Sequence, residues 1–273
     1  MKLIKTKDES FTLFNEEYND VYHSKFGAIK EALYQFIYPL KPYFKQNDNF
    51  EIFEIGFGLG YNFLVTKTFL KKNDKRFSYK AVEKDEKLFN FLLKNCEKFK
   101  IKNYCGFLKE AKKNIIFEDA TKIEIKSEII YHDGFSPSKN KELWTFEFLS
   151  KLKGKILVTY TSNPKVRVSL ILNDFLVLPT FRFKGKGTLA LNKNLHLDLF
   201  NFVKFDLKEA LVLFSNYAKP YGLEIKKEYP VLFKGGKIKI KDKELYNNIK
   251  EIIKMDKKEQ ILLLNEEVRN FWL

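Results

Sequence analysis

The sequence predicts an α/β fold: a mostly parallel central sheet with helices on both faces, followed by a helical C-terminal extension. Three observations carry this. Strand-like and helix-like segments alternate from about residue 50 to 175, the pattern of a parallel sheet covered by helices. A glycine turn, EIGFGLGYN (54–62), follows the first apolar strand directly and opens a helix. Several predicted strands end in an acid, and in such sheets ligands sit at the carboxyl ends of the strands.

Taken in order, residues 22–44 read as a helix with Ala28, Ala32, Phe36 and Leu40 on one stripe. Residues 50–55 read as a strand and 60–71 as the helix leaving the glycine turn. FSYKAVE (77–83) is a strand and DEKLFNFLLKNCEKF (85–99) an amphipathic helix. NIIFED (114–119) and EIIYHD (128–133) are two more strands. KELWTFEFLSKL (141–152) is a helix, KILVTYT (155–161) a strand, and PKVRVSLILNDF (164–175) a helix with Pro164 near its start. From about 190 the alternation stops. Residues 1–190 are therefore read as one domain with a helical lead-in, and 191–273 as an appended element of mostly helical character.

Composition sets outer bounds. The chain has 273 residues, 45% of them hydrophobic, enough for one well-buried α/β domain and an annex. No apolar run reaches 18 residues, so a membrane span is not expected, and MKLIKTKDESF lacks the apolar stretch of a signal peptide. Cys96 and Cys105 show no metal-ligand spacing and suggest no disulfide framework. A cytoplasmic, metal-free protein is expected. The formal charge is +15, the footprint of a polyanion binder, although only four of 50 basic residues are arginine, and a lysine-rich mix also arises from genome composition. Residues 191–273 hold 16 basic and 12 acidic residues, net +4, which leaves +11 in 1–190. A nucleic-acid surface is therefore expected mainly around the cleft of the first domain.

The glycine turn separates cofactor classes. Gly56-x-Gly58-x-Gly60 is tighter than the G-x-G-x-x-G of dinucleotide folds, and no G-x-x-x-x-G-K-[ST] phosphate loop is present. Glycines here let the backbone take strained dihedrals and approach a ligand closely. An acid before the turn, Glu54, suits a cationic ligand without phosphates, and S-adenosylmethionine is such a ligand. Glu83, ending the second strand, is placed to accept ribose hydroxyls, and Asp119, ending the third, to receive an adenine amino group. Each alone also reads as a solvated loop acid.

The fourth strand runs into HDGFSPSKNKELW (132–144). Asp133 is the candidate catalytic acceptor for an amine, and Phe135 a stacking wall, as in the acid/Asn-Pro-Pro-aromatic loops of amino-group methyltransferases. An alkyl amine with a lysine-like pKa of about 10.4 is protonated at pH 7, which costs roughly 4–5 kcal/mol of nucleophile. A carboxylate in hydrogen-bond reach orients it and accepts its proton, and alignment of nitrogen, methyl carbon and sulfur supplies much of the rest. The bland alternatives are a turn cap for Asp133 and a core position for Trp144.

Four stretches, DVYHSKFGAIKEA (20–32), EIGFGLGYNF (54–63), DGFSPSKNKELWT (133–145) and TYTSNPKVRVSL (159–170), together resemble the methyltransferase domain of MnmC, a tRNA wobble-uridine modification enzyme. The resemblance covers roughly residues 10–190. It implies a class I, Rossmann-like S-adenosylmethionine-dependent methyltransferase that methylates the aminomethyl nitrogen at C5 of the wobble uridine of tRNA. By carry-over Glu54, Gly56, Gly58, Gly60, Asn62, Glu83, Asp119 and Ala120 hold the cofactor. Asp133 meets the amine, and Phe135, Ser136, Pro137, Lys139 and Trp144, with Tyr160 opposite, form the uridine pocket. Leu59 stands where the family usually has Thr, which would remove one hydroxyl from the cofactor side. No flavin fingerprint of the fused oxidase half is present, so a stand-alone methylating half is expected. Tyr22, His23 and Ser24 either close over the methionine end of the cofactor or pack the first helix. RFKGKGT (182–188) either binds phosphate or is a solvated hairpin. Two other readings stay open: a methyltransferase or aminopropyltransferase-like enzyme on a small free amine, and a non-catalytic RNA-binding module.

Overall fold

The computed structural model describes residues 2–181 and 185–273. Arg182, Phe183 and Lys184 of the RFKGKGT segment lie outside them. The chain begins with a three-stranded antiparallel meander, β1 (Lys2–Lys5), β2 (Phe11–Asn15) and β3 (Asp20–Val21). The helical lead-in expected from residue 22 starts only at α1 (Ala28–Ala32), which continues as a π-helical turn over Leu33–Ile37. The predicted stripe holds: Ala28, Ala32, Phe36 and Leu40 are all buried. α2 (Lys41–Gln46) leads into the sheet.

The alternating part follows as β4 (Asn49–Ile55), α3 (Tyr61–Lys72), β5 (Arg76–Glu83), α4 (Glu86–Asn95), α5 (Tyr104–Lys112), β6 (Ile115–Phe117), β7 (Lys126–His132), α6 (Phe146–Ser150), β8 (Lys153–Thr159) and α7 (Pro164–Leu172). A hairpin, β9 (Phe175–Phe181) and β10 (Lys186–Asn192), closes the sheet. The strand order is β6-β5-β4-β7-β8-β10-β9, parallel except for β10, which runs antiparallel to both neighbours. β4 is therefore the switch point, with β5 on one side and β7 on the other, and the crevice at its carboxyl end is where such sheets bind ligands. β4 and β7 are buried at nearly every position of their carboxyl halves.

Three sequence expectations are corrected here. The helix expected over 141–152 is a short 3-10 turn (Lys141–Trp144) followed by α6, with Thr145 as the N-cap accepting from Phe148 N. α5 went unread in the sequence. Cys96 and Cys105 are bonded to each other, because α5 folds back on the end of α4 and brings positions nine apart together. Glu97 lies beside them, so the three could group around a metal only with the sulfurs unbonded.

Beyond residue 192 come α8 (Leu207–Val212), the hairpin β11 (Val231–Lys234) and β12 (Lys237–Ile240), α9 (Lys243–Lys254) and α10 (Lys257–Trp272); α10 packs on β9 and α7, and α9 packs on α10 and α8. The extension is helical chiefly over its last third, α9 and α10, rather than mostly helical as expected, and a hairpin turns at Gly235 and Gly236, both at positive φ. Buried polar groups fix it. Asn265 Oδ1 accepts from Val177 N at 2.8 Å and its Nδ2 donates to Val177 O at 2.9 Å. Arg167, itself buried, donates to Thr188 Oγ1 and Gly187 O and pairs with Glu209 of α8. No helix among the described residues is long and apolar enough to cross a membrane.

Candidate active site

Four strand ends converge on one crevice. The turn after β4 puts Gly56, Gly58 and Gly60 at φ +85°, +52° and +74°, a region glycine enters without penalty. Two neighbours hold the turn. Glu83, ending β5, accepts from Gly58 N at 2.9 Å and from Asp85 N at 2.8 Å. The Tyr104 hydroxyl of α5 donates to Leu59 O at 2.6 Å. Asp133 N donates to Ile55 O at 2.9 Å, which ties the loop after β7 to the end of β4.

A cavity of about 550 Å³ opens between these ends, lined in part by Gly56, Gly58, Glu83, Asp119, Ala120 and Asp133, and roofed by Tyr18 and Tyr22 of the N-terminal meander. Eight of its lining residues are acids, against Lys84 and Lys87. Such a wall repels a pyrophosphate and suits hydroxyls and a cation. Burial pushes the Glu83 carboxyl up, although its two backbone donors oppose this. Asp119 accepts from Thr121 N and Thr121 Oγ1 and stands 3.8 Å from Lys84; these contacts hold its carboxyl below the ordinary range even against its partial burial.

A second cavity, about 370 Å³, shares Tyr22, Asp133, Gly134 and Phe135 with the first. Its lining includes the acids Asp20, Glu31 and Asp133 and no lysine or arginine. Phe135 is stacked on Tyr18 at 4.3 Å between centroids and tilted against Tyr22 at 5.0 Å, so an aromatic partition separates the cavities. Three residues of the second cavity, His23, Gln35 and Asn62, each bury one polar atom without a hydrogen-bond partner: Nε2, Oε1 and Oδ1. Among the described residues only five such atoms occur, so they concentrate here. The Gln35 and Asn62 atoms are acceptors, because their amide nitrogens are already donating to Thr159 O and to Glu54 and Asp133. Burial also keeps His23 below its ordinary pKa and hence neutral.

Other expected site residues fall differently. Glu54 lines neither cavity. It is fully buried, accepting from Asn62 Nδ2 at 2.7 Å and from the Tyr79 hydroxyl at 2.9 Å, because β4 turns this position into the core. Asn62 belongs to the second cavity instead and links Glu54 to Asp133 Oδ2 at 2.7 Å. Gly60 caps α3 and is not exposed to the crevice. Leu59 is wholly buried outside both cavities, so its difference from Thr removes nothing from the cofactor side. Ser136 and Tyr160 line the second cavity, with the Tyr160 hydroxyl donating to Gly134 O at 3.0 Å. Pro137 is buried, Lys139 is exposed, and neither lines a cavity. Trp144 is a core residue whose Nε1 donates to Phe135 O at 2.8 Å. It aims the loop and touches neither cavity. Tyr22, His23 and Ser24 do face the second cavity, and Tyr22 both. The sequence reading missed Tyr18, Glu31 and Gln35. Glu31 and Gln35 sit on the predicted helix, yet only the π-helical turn, which rotates the register, buries Gln35 beside Phe36.

The buried Glu54 makes a stability prediction. Burial first, and the Asp133 charge next, hold its carboxyl well above the ordinary 4.5. Above that ordinary value the unfolded chain releases a proton that the folded protein keeps. Fewer protons on the unfolded state means that stability falls as pH rises through this window. Glu54→Gln keeps the Asn62 bond and lets its amide donate to the Tyr79 oxygen. It is expected to melt above wild type at pH 8, at about 2–4 °C per kcal/mol, and to converge with it near pH 4. Thermal unfolding at the two pH values checks this; a pH-independent difference would refute it.

Fold and crevice thus define a class of Rossmann-like, ligand-binding α/β enzyme, and the comparisons identify it. Residues 83–192 match a family described as S-adenosyl-L-methionine-dependent methyltransferase. The protein is an S-adenosyl-L-methionine-dependent methyltransferase, related to the methyltransferase region of MnmC. Over 200 residues, 64% of this chain, it is 32% identical to the tRNA 5-methylaminomethyl-2-thiouridine biosynthesis bifunctional protein MnmC of Campylobacter hominis, covering 30% of that protein. The Campylobacter jejuni subsp. doylei counterpart is 31% identical over 220 residues, with 35% of it covered. The chain thus spans about a third of these relatives. An uncharacterized protein of Methanocaldococcus jannaschii is 29% identical over 80% of this chain and 66% of its own length. The crystal structure of MNMC2 from Aquifex aeolicus shares the fold, with a TM-score of 0.64 and 24% identity over 98% of this chain and 85% of that one. The residues present fit the cofactor: a Cβ on Gly56 would come within 2.8 Å of Asp133 O, so only glycine leaves this cradle intact, and the acid-lined wall suits a cation.

Proposed function

We propose that the protein methylates the primary amine of an aminomethyl group on C5 of the wobble uridine of tRNA, giving 5-methylaminomethyl(-2-thio)uridine. The observation that carries this reading is the meeting of two cavities at Asp133, one shaped for the cofactor and the other rich in acceptors and walled by aromatic rings. S-adenosyl-L-methionine, when bound, supplies an electrophilic methyl group. Every other part of the chemistry falls to the chain. Asp133 orients the ammonium and accepts its proton. Asn62 holds the Asp133 carboxylate in place. Phe135 offers a ring face to a base, and the acceptor atoms of Gln35 and Asn62 suit a group that brings several N–H donors. The names of the bifunctional relatives point to the same uridine. The acid-rich second cavity equally suits a small free amine, and the +15 formal charge favours the polyanion over a cationic polyamine.

The test is incubation with methyl-labelled cofactor and tRNA bearing 5-aminomethyluridine, followed by nucleoside analysis. Label in 5-methylaminomethyluridine is expected. Label only in added free amines, with none in tRNA, would overturn the substrate assignment.

In this reading Glu83 holds the ribose. Glu83→Gln removes a charge-assisted bond of about 1.5–3 kcal/mol and so weakens cofactor affinity roughly ten- to hundredfold, with little change in the rate at saturating cofactor. Titration calorimetry checks it; an unchanged affinity would place the ribose elsewhere.

A further inference from the structure

Three lysines stand together near segments that line the crevice, and among the described residues none of them has a carboxylate partner. Lys141 opens the 3-10 turn after the loop that carries Asp133, Phe135 and Ser136, and Lys165 is the second residue of α7, after the loop that carries Tyr160. Lys219 comes from the C-terminal extension. Lys165 Nζ donates to Lys219 O at 3.2 Å and lies 5.4 Å from the Tyr217 ring centre and 5.2 Å from that of Tyr221. Lys141 Nζ lies 5.4 Å from the Tyr221 ring centre. Tyr221 is fixed in turn: its backbone oxygen accepts from Phe146 N at 2.9 Å, and its hydroxyl accepts from Asn163 Nδ2 at 3.4 Å. Tyr217 remains 42% exposed.

Some lysines elsewhere stand on acids, as Lys75 does on Asp48, Lys153 on Glu124 and Lys186 on Glu209, and others, such as Lys227 and Lys257, lie singly over aromatic rings; what distinguishes this place is that three lysines gather around two tyrosines. Glu142, the acid next to Lys141 in sequence, lines the first cavity instead. Partial burial first, then the charges of Lys141 and Lys219, depress the Lys165 ammonium pKa. Like charges gathered without a counter-ion are destabilising unless an anion completes them. Two tyrosines under and beside them add ring faces on which bases stack and over which cations sit.

We infer that Lys141, Lys165 and Lys219, with Tyr217, form an RNA-binding patch that grips the backbone and one unpaired base beside the nucleotide placed in the second cavity. The inference rests on the tRNA reading above. It gives the C-terminal extension a role: its Tyr217–Tyr221 segment completes a site that the sheet part only half builds. Recognition of single-stranded loops by phosphate contacts plus aromatic stacking is the usual way proteins hold RNA whose bases are splayed out.

The test measures binding of an anticodon stem-loop RNA with an unmodified wobble uridine, by fluorescence anisotropy across a salt series. Each phosphate contact in a single strand contributes about 0.7 to the slope of log affinity on log salt. K141Q/K165Q/K219Q is therefore expected to flatten that slope by about 2 and weaken binding, with cofactor affinity unchanged. Tyr217→Ala should weaken binding about tenfold with the slope intact. K126Q/K153Q/K155Q removes the same charge at the amino ends of β7 and β8, the opposite edge of the sheet, and should matter little. If both triple variants lose affinity alike, only net charge is at work and the patch is wrong. If the rim variant binds like wild type, the patch is also wrong while the substrate reading stands. Failure of that reading appears separately, as absence of label in aminomethylated tRNA from an enzyme that binds its cofactor.

Discussion

Asp133→Ala is expected to lower the rate of the proposed amine methylation by about three orders of magnitude, the middle of the range for a general acid–base group, and to leave cofactor affinity almost untouched. The split follows from position. Asp133 lies where the two cavities join, and the groups proposed to grip the cofactor, Glu83 and Asp119, end other strands. The residual rate carries a signature. Without an internal acceptor the amine must arrive already deprotonated, so the variant's log rate should climb with pH at unit slope below the amine's pKa, roughly 10.4 if lysine-like. Asp133→Asn separates charge from shape: its Oδ1 still accepts from Asn62, so a rate near that of the alanine variant means that the carboxylate charge matters, and a rate near wild type means that only orientation does. Single-turnover rates from pH 6 to 9 with bound labelled cofactor decide between these. An Asp133→Ala rate within a few-fold of wild type would remove Asp133 from the chemistry.

The sequence exposed this much of the site for a physical reason. In a parallel sheet every strand delivers its carboxyl end to the same edge, so an acid written at the end of each apolar run is an acid in the crevice, and Glu83, Asp119 and Asp133 all arrive there. Whether an acid inside a run faces the ligand or the core depends on the pleat, and Glu54 went to the core. The Trp144 indole was ambiguous in the same way: its spacing to Phe135 is visible in the string, but its Nε1 bond to Phe135 O depends on the 3-10 turn that replaces the expected helix. The meander that roofs both cavities consists of strands of four, five and two residues, too short to leave a period. Gln35 was hidden for a subtler reason. A π-turn adds a residue to the helical repeat, so the apolar stripe remains legible while the position that it rotates inward does not.

Gly56→Ala is expected to damage cofactor affinity and turnover together, and the size of the loss separates strain from steric displacement. At φ +85° an alanine takes a left-handed conformation at a cost of roughly 1–2 kcal/mol. That cost alone would reduce stability and little else. Gly235→Ala in the β11–β12 hairpin measures it in isolation, since φ there is +57° and a new Cβ meets nothing within 4 Å. At Gly56 the new Cβ also falls 2.8 Å from Asp133 O and 3.1 Å from Asp133 C, and a backbone cannot swing away as a side-chain tip can. The loop bearing Asp133 must shift, and with it the Asn62 contact and the Phe135 partition. Misplacement on the scale of an ångström costs about a hundredfold in rate. Gly56→Ala should therefore lose about two orders of magnitude in kcat/KM beyond any loss in Gly235→Ala, and should melt below it. Gly58→Ala stands between them: its Cβ finds only Tyr22 Cδ1, at an ordinary 3.4 Å. Equal activity in the Gly56 and Gly235 variants would mean that the cradle tolerates a methyl group, and the close approach of the turn to the Asp133 loop would then have no part in holding the catalytic geometry.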